Sequence, residues 1–265
     1  PKIETNNALF GIMSPSQASK PIKSSFESYV FNVGNLFVNG SRPQIHDDQS
    51  KEVIVSPLRN SKKIVICFTG TAHKIGQLPI SFLDMYFAEK DVSLLVVKDL
   101  ENNLHLNGVQ SLGKNKEETI SAIKEMCGEK DIYVIASSGG GLAAIHYSIE
   151  LNAKALIGFG IPTNLTSEFM LKNSDNRAKT LIRRINRQFS NQVLDAKICL
   201  SSTEKTPKIH LCYGDQYSED RLQAQYLADT KNVMLHPIRD CESHACLLGS
   251  ISNNQFPDLM TDFLN

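Results

Sequence analysis

From Lys62 onward the apolar positions follow two alternating rhythms. KKIVICFTG (62–70), VSLLVVKD (92–99), DIYVIASS (131–138), AKALIGFG (153–160), KIHLCYG (208–214) and NVMLHPI (232–238) are short apolar runs with β-branched residues. Their length and composition predict buried strands. Between them QLPISFLDMYFAEK (77–90) carries apolar residues at 78, 82, 83, 86 and 87, which is helical spacing. KEETISAIKEM (116–126), GLAAIHYSIEL (141–151) and SEDRLQAQYLAD (218–229) predict further helices, and HACLLGSI with FPDLMTDFL one or two terminal ones. Strands alternating with helices of this length imply an α/β fold, a mainly parallel central sheet with helices on both faces.

Two stretches break the rhythm. Residues 1–25 are rich in Ser, Pro, Lys and Asn, and 28–40 predicts two short strands or one hairpin, with another strand in 51–58. Residues 1–61 are thus expected to be a lead-in plus the first strands of the sheet, and 62–265 its core. Residues 161–205 are polar and helical, without a strand of matching strength, and are expected as a helical insertion capping one end of the sheet.

Composition narrows the classes of function. The 265 residues hold 28 Lys+Arg against 28 Asp+Glu, so a general binder of nucleic acid or of a membrane surface is not expected. That length suits one large domain. No apolar run reaches the roughly 18 residues of a membrane span. The six cysteines form no disulfide framework, which favours a reducing, cytoplasmic compartment. The chain opens on Pro1 rather than Met, as a processed protein or an excised domain would. DCESHAC (240–246) brings Cys241, His244 and Cys246 together, but its tight spacing and lack of a second ligand pair argue against zinc, so no metal is expected. Oligomeric state is not legible in these patterns.

The segment carrying chemistry is DIYVIASSGGGLAAIHYSIEL (131–151). A strand runs into A-S-S-G-G-G and then into a helix that starts with small residues. A nucleophile on such a strained strand-to-helix turn needs small neighbours two positions to either side, here Ala136 and Gly140. Ser138 would then project at the carboxyl end of the sheet and at a helix N-terminus, whose dipole favours developing negative charge. The segment matches neither phosphate-loop pattern. A serine needs a base, and seven histidines are available. His210 and His236 lie inside strands, and His146 lies on the helix after the turn. His73 and His105 occupy loops at strand ends, where either could meet substrate. The long polar loop in 96–113 adds Asp99, Asn102 and Asn103 as candidate hydroxyl contacts. In the insertion, NRAKTLIRRINRQFS (176–190) has five basic residues and no acid. Leu181, Ile185 and Phe189 line one side, and Arg177, Arg183, Arg184 and Arg187 the other. That is a solvated helix face, or a cationic lip in which Arg183 and Arg187 attract an anionic acceptor such as an acidic glycan.

On IASSGGGLAAI and the spacing of the last two strands, the chain resembles the α/β-hydrolase superfamily from about Lys62 to its C-terminus. FTGTA, VVKDLENNLHLNG and GDQYSEDRLQAQ…HPIRDCESH make it more similar to bacterial hydrolase-fold proteins of surface-polysaccharide modification, capsule O-acetyltransferases included, than to lipases. The resemblance implies the chain order Ser, acid, His, and puts the base at His244, just after the last strand. It implies oxyanion donors at Gly139 and at Thr71, with Ala72 as the alternative to Thr71. The family's acid, in Gly-x-x-Asp after the penultimate strand, falls here on Tyr217, a departure. Asp215 is preferred for its place at the strand end. Asp220 is the alternate, since D-R-L-Q would make it the N-cap of a capping box with Gln223. Glu242 stands third.

The expected function is serine-dependent hydrolysis of a small acyl ester, acetyl among them, on a small molecule or a glycan. One alternative is an O-acyltransferase using a donor such as acetyl-CoA, hydrolysis itself needing no cofactor. Another is a non-catalytic hydrolase-fold binding or assembly domain, motivated by the missing Gly-x-x-Asp.

Overall fold

The computed structural model describes residues 48–57 and 61–265. The hairpin expected within 28–40 lies outside the described residues. Among the described residues seven strands form one sheet: β1 (Val53–Ser56), β2 (Lys63–Phe68), β3 (Val92–Val97), β4 (Asp131–Ser137), β5 (Ala155–Phe159), β6 (Lys208–Gly214) and β7 (Val233–Ile238). Their order is β1-β3-β2-β4-β5-β6-β7. Every pairing is parallel except β1 with β3, which is antiparallel.

The period-2 side-chain alternation of a strand sorts the core into two layers. Ile132, Val134 and Ala136 of β4 face one layer with α2 (Lys116–Cys127) and α3 (Gly141–Glu150). Tyr133 and Ile135 face the other, with α1 (Ile80–Ala88). Burying one such Val, Leu or Ile side chain contributes about 1.5–3 kcal/mol. The sheet core is apolar on both faces, which explains why its strands read as continuous hydrophobic runs. Local signals set the helix ends. Asn115 caps α2, its side chain accepting from the Glu118 N–H at 2.8 Å.

Residues 161–205 contain α4 (Ser167–Lys172), α5 (Lys179–Gln188), α6 (Asn191–Leu194) and α7 (Ala196–Ser201). The buried Ile185 and Leu194 join the same layer as α2 and α3. After β6 comes α8 (Ser218–Gln225), four residues shorter than the helical pattern implied, with turns over 226–229. The chain closes with α9 (Cys246–Ser252) and α10 (Phe256–Leu264), packed in the α1 layer. No helix among the described residues is long and apolar enough to cross a membrane.

Candidate active site

β4 delivers the chain to Ser137 in extended geometry, with φ −135° and ψ 147°. The next residue, Ser138, sits at φ 48° and opens a single 3-10 turn, Ser138–Gly140, that feeds α3. A serine in this left-handed region costs about 1–2 kcal/mol, strain that the surrounding packing must hold. Gly139 permits the turn's close approach to the loop after β2. A Cβ there would lie 2.9 Å from Leu104 Cδ2 and 3.0 Å from Thr71 Cγ2.

His244, in the loop between β7 and α9, has Nε2 2.8 Å from Ser138 Oγ. Its Nδ1 lies 2.7 Å from Asp220 Oδ2. An ionised carboxylate only accepts, so Nδ1 carries the proton and Nε2 is left to accept from the serine hydroxyl. Asp220 is 1% exposed. Its other oxygen, Oδ1, accepts from Arg177.

The acid beside His244 is therefore Asp220, and the preference for Asp215 is corrected. Asp215 accepts from the backbone N–H groups of Cys241, at 3.2 Å, and Asp240, at 3.3 Å, bracing the loop that carries His244. Nor is Asp220 a helix cap. α8 begins at Ser218 with Tyr217 as its N-cap, so Asp220 is the third residue of the first turn. Gln223 serves elsewhere, its Oε1 accepting from the N–H groups of Thr163 and Asn164 at 2.9 Å each. Glu242, the third option, is exposed.

Thr71 and Gly139 both line the cavity at Ser138, next to each other. The cavity holds ≈ 210 Å³ and its walls include Leu104, Pro162, Leu165, Met170, Leu181 and Ile182. The other expected substrate contacts fall away from it. His105 is 1% exposed, with Nε2 3.0 Å from the Thr69 carbonyl and its backbone N–H donating to Asp99 Oδ2 at 2.9 Å. Burial pushes its basicity below the usual histidine range. Its neighbour Leu104 is what reaches the cavity. Arg183 is exposed and lines an adjoining cavity of ≈ 360 Å³, and Arg187 is exposed on α5. Three further histidines, His146, His210 and His236, make structural contacts. His146 Nε2 lies 2.9 Å from the Val193 carbonyl, and His210 stacks on His236 with Nδ1 3.0 Å from its partner's Nε2. Burial and the neighbouring His236 push His210 down to about 4. Among the described residues, no group of three or more His, Cys, Asp or Glu is arranged to hold a metal ion.

Gly160 and Ser137 carried no functional signal in the sequence, and Arg177 was read there only as part of a basic helix face. Gly160 ends β5 at φ +58°, and a Cβ there would lie 2.7 Å from Asp220 Oδ2 and 3.0 Å from His244 Nδ1. It leaves room for the acid–histidine pair. The buried Ser137 hydroxyl donates to the Lys74 carbonyl at 3.2 Å and accepts from the Gly76 N–H at 3.0 Å, tying the Thr71 loop to the turn that carries Ser138. Arg177 precedes α5 rather than sharing its basic face, and points into the site.

No protein-family model matches the chain, and no curated protein sequence does. Solved structures do. An α/β hydrolase enzyme from the metagenome of sediments of the Mar Chica lagoon, Morocco, is 14% identical, over 82% of this chain and 97% of that one, with a TM-score of 0.55. The capsule O-acetyltransferase of Neisseria meningitidis serogroup A is 14% identical over 86% and 99%, with a TM-score of 0.53. Esterase B of Lactobacillus rhamnosis is 12% identical over 92% and 94%, with a TM-score of 0.55. At these identities the likeness is one of fold.

Proposed function

We propose that this chain, which has the α/β-hydrolase fold, is a serine-dependent hydrolase of short acyl esters, with acetyl the leading acyl group. The observation that supports the reading is the continuous series Asp220–His244–Ser138, with its 2.7 and 2.8 Å contacts, ending on a serine held at φ 48°. Ser138 Oγ attacks the ester carbonyl carbon as its proton passes to His244 Nε2. Asp220, already accepting the Nδ1 proton, stabilises the imidazolium. The N–H groups of Gly139 and Thr71 are assigned to the oxyanion. The expelled alcohol takes its proton from His244. Water, deprotonated by the same nitrogen, then releases the acid and restores the serine. No cofactor enters this sequence.

The cavity of ≈ 210 Å³ favours a short acyl group, since pockets for drug-sized ligands run roughly 300–1,000 Å³. A fluorophosphonate should label Ser138, and p-nitrophenyl acetate or butyrate should turn over faster than the octanoate. An unlabelled Ser138 in folded protein, located by peptide mass spectrometry, sinks the proposal. Gly160→Ala offers a second check from outside the reacting groups. Its Cβ would intrude between Asp220 and His244, so turnover should fall about 10²-fold, as for a misplacement of 1 Å. The forced left-handed alanine should also lower stability by about 1–2 kcal/mol, read from denaturant unfolding.

An O-acyltransferase is the second reading, favoured by the ≈ 360 Å³ cavity adjoining the site, where Lys179 and Arg183 stand beside Ser167, Ser174 and Asn176. An acidic glycan hydroxyl arriving there would compete with water for the acyl-enzyme, given a donor such as acetyl-CoA. Acetate release measured with and without a polysaccharide acceptor separates the two. The Asp220–His244 contact at 2.7 Å counts against the binding-domain reading, which the missing Gly-x-x-Asp had motivated.

A further inference from the structure

We propose that Arg177, supplied by the helical insertion, is a positioning residue that holds the Asp220 carboxylate in line with His244, so that the insertion completes the catalytic apparatus. The proposal rests on the serine-esterase reading and adds to it a dependence of turnover on the seating of the insertion. Asp220 is a buried carboxylate with its two oxygens divided, Oδ2 to His244 and Oδ1 to Arg177 Nη1 at 2.5 Å. Arg177 is itself locked. Its Nε and Nη2 donate to the two oxygens of Asp175 at 2.9 and 2.6 Å, and its backbone N–H donates to Asp175 Oδ1 at 3.1 Å. The Tyr217 ring lies 5.9 Å from the guanidinium carbon. A planar fork of five donors satisfies both carboxylates at once, which an ammonium on a flexible stem cannot do.

Charge balance argues against the competing role, capture of an anionic substrate. One guanidinium faces two buried carboxylates, and three of its side-chain N–H directions already point at them. An anion entering the cavity would meet a net negative cluster. Burial disfavours the Arg177 charge, but hydrogen bonds and attraction from Asp175 and Asp220 more than offset this and raise its proton affinity. Burial likewise pushes Asp175 up, yet Arg177 holds it below the usual carboxylate range. Asp175 and Arg177 both belong to the loop between α4 and α5, and Asp220 to the core 43 residues away. Lifting that loop would strip Asp220 Oδ1 of its cationic partner and leave a buried carboxylate held by His244 alone, an unfavourable state.

The test uses p-nitrophenyl acetate and the whole chain. Arg177→Met is expected to lower kcat about 10²-fold with KM little changed, the signature of a misaligned acid rather than a lost substrate contact. On an Asp220→Asn background the same change should cost little more, because the two residues act as a unit. The low-field proton resonance of the His244 Nδ1–H to Asp220 bond should weaken or vanish in Arg177→Met. Should that variant fail to fold, Asp175→Asn, which frees the fork while keeping Arg177 and Asp220, is expected to lower kcat about 10-fold on the same ground. A raised KM with unchanged kcat, or a fully additive loss with Asp220→Asn, overturns the proposal. If wild-type Ser138 takes no label, it is the esterase reading that fails. The proton resonance, compared between wild type and Arg177→Met, still decides the positioning role.

Discussion

Ser138→Ala is expected to lower kcat for p-nitrophenyl acetate by about 10⁶-fold, the scale on which removing a serine nucleophile abolishes covalent catalysis. The fold should survive the change. Among the described residues the hydroxyl's hydrogen-bond contact is with His244 Nε2 at 2.8 Å, and Ala keeps the same backbone strain at φ 48°. Ser138→Gly should be equally inactive and unfold at a higher temperature than Ser138→Ala, because glycine occupies the left-handed region without steric cost. The strain is thus retained for geometry at the expense of stability. Turnover and thermal unfolding of the pair are the measurements. A Ser138→Ala protein that keeps a tenth of wild-type activity would move the nucleophile elsewhere. A Ser138→Gly protein less stable than Ser138→Ala would remove the strain argument.

Asp220→Asn is expected to cost about 10⁴-fold in kcat, and Asp215→Asn less than about 10-fold. The amide cannot replace the carboxylate. With Asn at 220, the side-chain nitrogen can face His244 and select the wrong tautomer, with Nε2 protonated and unable to accept the Ser138 proton. Asp215 touches the site only through the backbone of Asp240 and Cys241, so its loss loosens a loop without removing a proton acceptor. The reverse ranking of the two variants, measured at saturating ester with circular dichroism confirming the fold, would return the acid to the strand end.

Comparing these two aspartates shows how far local pattern reaches. Both follow β6 within six residues, and sequence logic ranked the farther one second because a helix cap offered it a competing role. Capping preferences describe what a side chain does for its own turn. They cannot register a partner such as Arg177, 43 residues away, or His244, 24 residues away, that makes a better offer. The basic run in 176–190 misled for a related reason. Its count of charges suggested one cationic face, whereas Ala178 at φ 46° turns the chain before α5 begins and sends Arg177 inward, away from Arg183 and Arg187. His105 was placed correctly at a strand end, yet its ring fills the space against Phe68, centroids 5.4 Å apart, and leaves the cavity to Leu104.

What the amino-acid sequence determined by itself are the properties written in neighbouring residues. Strand and helix periodicity, the small-residue turn around Ser138, and the short link from the last strand to His244 all depend on chemistry within a few positions. The tertiary structure alone decided which acid meets the histidine, that a side chain at Gly160 would crowd that pair, and that Arg177 turns inward to meet Asp220. Each of these is a meeting of groups tens of residues apart in a buried, low-dielectric space, where position rather than residue type selects the partner. The same holds for charge. Equal numbers of acids and bases along the chain conceal one guanidinium shared between two buried carboxylates at the site.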